Sequence, residues 1–205
     1  MPVEYLKETA SQTAGPYLHI GMYPAAAGIE SRWEKTPNIL VGETTEGQRI
    51  RIEGTIIDGN GQHVRDAAIE IWQANAAGRY NHPEDTQDKP LDPAFTGFGR
   101  AITDARTGLY WFETVKPGPV VGPDGREMAP HINVAIFGRG INIHLVTRLY
   151  FEDEGPANEA DHVLRLVDPA RRGTLIARRE EQEGRPVYRF DIVLQGENET
   201  VFFDV

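Results

Sequence analysis

From Arg49 onward the chain alternates apolar and polar residues with a period of two, in short runs separated by turn-forming residues. Ile50 and Ile52 are set against Arg51 and Glu53, and Ile69 and Ile71 against Glu70 and Trp72. A helix buries residues three or four positions apart, so this spacing buries one face of an extended strand instead. Between the two runs, Asp58-Gly59-Asn60-Gly61 offers residues tolerant of positive φ, the chemistry of a tight turn joining strands. Further strands are predicted over Gly99–Thr103, Leu109–Val115, His131–Phe137, Leu145–Phe151, Val187–Leu194 and Thr200–Asp204. Such a succession predicts an all-β chain, a two-sheet β-sandwich over residues 47–205 with one or two short helices. The clearest helix signal is late: Asp168 can cap, Pro169 suits the first helical position, and Leu175, Ile176 and Arg179 follow before Gly184. The mixed-sign run Arg178–Glu183 is its expected solvated face.

Residues 1–46 lack sustained periodicity and hold Gly15, Pro16, Pro24, Gly28, Pro37 and Gly42, so they are predicted to form an extended arm. Its Tyr5, Leu6, Tyr17, Leu18, Ile20 and Trp33 need a surface, either this chain's core or a neighbouring subunit. At 205 residues the chain suits one large β domain. With 21 Lys+Arg against 31 Asp+Glu, the net charge of −10 disfavours nucleic acid, and an anionic substrate needs a local basic site. Without cysteine there is no disulfide, no thiolate nucleophile and no Cys-type metal site, which leaves His, Tyr and carboxylates as ligands. The first residues lack a basic stretch followed by an apolar run, and no segment of about 18 apolar residues occurs, so a cytoplasmic location is expected.

Several unusual strings occur in order. Glu70-Ile71-Trp72-Gln73-Ala74-Asn75 and Gly78-Arg79-Tyr80 read as a strand running into a glycine-containing loop. Thr103-Asp104, Gly108-Leu109-Tyr110, Val115-Lys116-Pro117-Gly118, Ala129-Pro130-His131-Ile132, Arg148-Leu149-Tyr150-Phe151 and Tyr188-Arg189-Phe190-Asp191-Ile192 follow. From about Gln48 to Val205 this succession resembles the intradiol aromatic-ring-cleaving dioxygenases. The resemblance implies a sandwich whose active site is reached through loops on one face, with one Fe(III) held by two tyrosines and two histidines. Phenolate oxygen donates strongly to ferric ion, which makes that ligand set chemically apt.

Carried over by position, the resemblance places Tyr80 at the first tyrosine and Val120 at the second, after Lys116-Pro117-Gly118-Pro119. The histidine pair becomes His131 and Asn133. Valine has no lone pair to give and an amide is a far poorer ligand than imidazole, so a vestigial site without iron is expected. The family includes two-chain members in which an iron-binding beta chain joins a homologous alpha chain with a degenerate site, as αβ units within larger hetero-oligomers. This sequence resembles the alpha chain through Ser11–Tyr17 with Gly21, Arg139–His144 and Glu199–Asp204. The resemblance then implies no catalytic residue here. Thr13, Gly15, Pro16, Tyr17 and Arg139 would line the partner's pocket for a small aromatic catechol and O2. A Gly-Pro turn permits close approach, and a guanidinium can offset a carboxylate on the ring.

The residues by themselves leave plainer readings open. Tyr80 suits packing or hydrogen bonding, His131 a buried hydrogen-bonded histidine, and Thr13–Tyr17 an arm tied down for packing. Two other functions are also compatible: a self-sufficient dioxygenase with unusual ligands, and a structural or ligand-binding sandwich.

Overall fold

A computed structural model describes residues 13–30, 37–122 and 124–204. Tyr5, Leu6, Ser11 and Trp33 lie outside the described residues. Its strands are β1 (Arg49–Ile57), β2 (Ala68–Trp72), β3 (Phe98–Ile102), β4 (Leu109–Val115), β5 (Val120–Val121), β6 (Glu127–Met128), β7 (His131–Phe137), β8 (Leu145–Phe151), β9 (Ile176–Gln182), β10 (Arg185–Arg189) and β11 (Ile192–Val193). Three short helices accompany them: α1 (Leu18–Met22), α2 (Gly155–Ala160) and α3 (His162–Leu166). Among the described residues, no helix is long and apolar enough to cross a membrane.

One layer is built on β1, which pairs antiparallel with β4 and parallel with β10 and β11. The other runs β8-β7-β2-β3, antiparallel throughout. Strand β9 links them, pairing parallel with β8 at Ile176 and Ala177 and antiparallel with β10 beyond. The predicted alternation supplies the core: Ile52, Ile56, Tyr110 and Phe112 from one layer meet Ile69, Ile71, Ile132, Ile136 and Phe151 from the other. Asp58 Oδ1 accepts from the amides of Asn60 and Gln62, closing the predicted turn, which carries the chain from the first layer to the second.

The sandwich is therefore as expected, and β4, β7 and β8 coincide with their predicted spans. Three local expectations are corrected. Residues 168–183 form no α-helix; a 3₁₀ turn over Arg172–Leu175 leads directly into β9. The charged run is exposed as expected, but it belongs to a hairpin, because Glu183 and Gly184 both have positive φ and reverse the chain. Thr200–Asp204 forms only a single bridge, Phe203 to Val146. Its backbone is shared between isolated main-chain bonds and side chains: Thr200 N donates to Val193 O at 2.9 Å, Thr147 Oγ1 donates to Val201 O at 2.7 Å and Val201 N donates to Thr174 Oγ1 at 3.2 Å. The expected strand Val187–Leu194 is split, because Asp191 Oδ1 takes the Thr55 amide at 2.8 Å and Phe190 O takes the Tyr110 hydroxyl.

Helices α2 and α3, which the sequence did not signal, meet at Asp161. Its fully buried carboxylate caps α3 through Leu164 N (2.8 Å), accepts from Ala129 N (2.9 Å) and accepts from Tyr150 OH (3.2 Å). Removing it strands three buried donors, each worth about 1 kcal/mol or more. Asp161→Ala is expected to destabilise the chain by ~3 kcal/mol, seen in urea unfolding as a lower midpoint with an unchanged m-value.

Candidate active-site remnant and the arm–loop patch

The motif string that runs out of β2 is scaffolding. Gln73 is fully buried and donates to Val115 O at 2.9 Å while accepting from Thr114 Oγ1 at 2.8 Å. Asn75 Oδ1 accepts from Ala77 N and Arg79 N, each at 3.0 Å, which curls the loop. At its apex Gly78 has φ +83°, and a Cβ there would lie 1.9 Å from Pro119 O. This contact draws Tyr80 against the loop that carries Val120. Tyr80 stacks on Trp72 at 5.7 Å, and Val120, buried opposite Met128, packs against it.

His131 and Asn133 leave the same face of β7, while Ile132 and Val134 enter the core. Asn133 Nδ2 reaches Tyr80 OH at 3.4 Å, and its Oδ1 accepts from Arg148 Nε at 3.1 Å. His131 Nδ1 lies 2.8 Å from Ala129 O, and its ring tilts against Tyr150. Tyr80, Val120, His131 and Asn133 thus converge on one spot, joined by Arg148, whose place sequence reasoning missed. The signal was the antiparallel register Asn133↔Arg148, which no single strand reveals.

This donor set does not fit ferric ion. Burial holds the Tyr80 phenol above its ordinary value. Valine donates nothing, Asn133 is already hydrogen-bonded on both sides, and a guanidinium stands beside it. Apolar packing and internal hydrogen bonds fill the roles that ligands would play.

The second group of expected residues lies elsewhere. Ala14 N donates to Ile141 O and Gly140 N donates to Ala14 O, both at 3.1 Å, zipping the arm to the turn after β7. Gly140, at φ +82°, makes that turn possible. Thr13, Gly15, Pro16 and Tyr17 are exposed beside it, Tyr17 at 76%. Arg139 keeps 62% of its side-chain exposure and pairs with Asp66 at 2.6 Å. His131 opens β7 and Arg139 follows its end, so the two groups stand on the order of 20 Å apart at ~3.3 Å per residue.

The sandwich is similar to known dioxygenases. Residues 24–196 match the family described as Dioxygenase. The chain is 51% identical over 205 residues, all of both chains, to the protocatechuate 3,4-dioxygenase alpha chain of Pseudomonas putida. It is 40% identical over 171 residues to the beta chain of Burkholderia cepacia, covering 80% of this chain and 72% of that one. The solved hydroxyquinol 1,2-dioxygenase of Pseudomonas putida DLL-E4 shares the fold, with a TM-score of 0.60 at 19% identity over 87% of this chain and 72% of that one. The chain belongs to the intradiol ring-cleavage dioxygenase family.

Burial first, then the nearby Arg148 guanidinium, pushes the His131 imidazole down to about 4 from 6.5. Between those values the unfolded chain binds a proton that the folded chain refuses. This residue's effect is therefore absent above pH 6.5, and stability is lost as pH falls toward 4. Between pH 7 and pH 5 it is expected to remove ~2 kcal/mol of unfolding free energy. His131→Gln should flatten that part of the pH dependence in urea titrations; an unaltered slope would refute it.

Proposed function

We infer that this chain is the alpha-type subunit of a protocatechuate 3,4-dioxygenase, acting with a homologous iron-binding beta chain in αβ units. The assembly opens the ring of protocatechuate with O2 to give 3-carboxy-cis,cis-muconate. The intradiol dioxygenases are ferric-iron enzymes, and on this reading the beta chain holds the Fe(III). The observation that carries the reading is the separation along β7. Arm and Arg139 are gathered and exposed at one end, a strand's length from the chain's own remnant at the other. Groups so placed do not reach that remnant, which supports their completing a site on another chain.

Each residue's task follows from its chemistry. Arg139 presents a cation to the ring carboxylate of an anionic catechol, fixing which end of the substrate faces the iron. The Gly15-Pro16 turn lets backbone approach the substrate closely, and the Tyr17 ring closes the wall against water. Against a net charge of −10 such a local cation matters, because the remaining surface repels the substrate.

Losing a charged hydrogen bond to the substrate removes about 1.5–3 kcal/mol, so Arg139→Ala in the αβ complex should lower kcat/KM for protocatechuate by ~10- to 100-fold. Iron content should not change. Unaltered kinetics would refute the role of Arg139. Stoichiometric iron and a tyrosinate charge-transfer band in the isolated chain would favour a self-sufficient enzyme instead.

A further inference from the structure

Arg139 and Asp66 form an ion pair whose halves are mounted very differently. The guanidinium sits on the turn after β7 between Gly138 and Gly140, with 62% of its side chain exposed, whereas the Asp66 side chain retains 16%. Asp66 directly precedes Ala67, which is buried and held on both sides by Thr103. Ala67 N donates to Thr103 Oγ1 at 3.1 Å, and Thr103 N donates to Ala67 O at 3.0 Å. The Asp66 side chain is therefore largely covered and stands beside a backbone held to the core, whereas the guanidinium is mostly exposed. Both face a cleft of about 790 Å³ that His63, Arg65 and Ile141 also line.

A long, exposed side chain on a glycine-flanked turn samples many rotamers, and a substrate that meets it must immobilise it. A carboxylate already in contact removes that freedom beforehand. Guanidinium offers five N–H donors, so engaging Asp66 through Nη2 leaves others for a second anion. We propose that Asp66 is a positioning residue, holding the Arg139 guanidinium oriented toward a carboxylated catechol in the partner's site. The proposal rests on the role of Arg139 set out above.

Orientation and charge damping make opposite predictions. If Asp66 only dampened the positive charge, removing its carboxylate would tighten binding of an anionic substrate. If it orients, removal weakens binding despite the added net charge. The decisive experiment uses the αβ complex with Asp66→Asn, Asp66→Glu, Arg139→Ala and the Asp66→Asn/Arg139→Ala double variant, each assayed with protocatechuate and with a catechol lacking the carboxylate.

Asp66→Asn is expected to raise KM for protocatechuate about three- to tenfold with little change in kcat, and to leave the uncarboxylated catechol unaffected. Asp66→Glu should recover most of the loss. In the Arg139→Ala background, Asp66→Asn should add nothing. An unchanged or lowered KM in Asp66→Asn, or an equal loss in both backgrounds, overturns the proposal while the role of Arg139 stands. A silent Arg139→Ala variant instead overturns that role and this inference together, so the two failures are distinguishable.

Discussion

Strand parity along β7 is the constraint on which the rest of the molecule depends. Ile132, Val134 and Ile136 are committed to the core, so His131 and Asn133 must leave by the opposite face. A slip of one residue would expose three isoleucine or valine side chains and bury polar ones, at a cost no local contact could offset. Whatever stands at 133 therefore faces Tyr80 and Arg148. A residue there must be satisfied in place, because it cannot turn away.

Asparagine meets that demand with one group of each kind. Its amide nitrogen faces the tyrosine oxygen, and its carbonyl oxygen accepts from the guanidinium. A buried polar group left unpaired costs about 1–3 kcal/mol, so this pairing keeps the remnant from weakening the fold. On the other side Val120 makes apolar contact with Ala74, Met128 and Tyr80. These positions thus form a small packed cluster, and neutral His131 and neutral Tyr80 are consistent with it.

Much of this was legible in the sequence, for identifiable reasons. Strands β4 and β7 alternate over most of their length with one buried face, and β8 ends in the buried run of Leu149, Tyr150 and Phe151, which marks both existence and bounds. Alternation fails where a segment is solvated on both faces. Strand β9 exposes Arg178–Gln182, so nothing in its composition opposes a helix, and only pairing with β10 makes it a strand. The tail 200–204 looks like a strand, but its Val201 backbone goes to the Thr147 and Thr174 side chains, which leaves a single bridge at Phe203. Tyr80, Val120, His131 and Asn133 were singled out by their motif positions alone. Arg148 and Asp66 escaped because their contacts depend on cross-strand register and on two distant turns meeting, 66 against 139.

How the arm is held bears on what it can do. Ala14 is tethered through its backbone N–H and C=O alone. Two such bonds fix the path of the chain while leaving the side chains of Thr13 and Tyr17 uncommitted and exposed. An arm attached only for packing would bury Tyr17, because it carries the largest apolar area in residues 13–17 and gains most from leaving water. Here the tyrosine remains in solvent beside an exposed arginine, on a turn that requires a left-handed glycine. Backbone anchoring with outward side chains suits a surface completed by another chain.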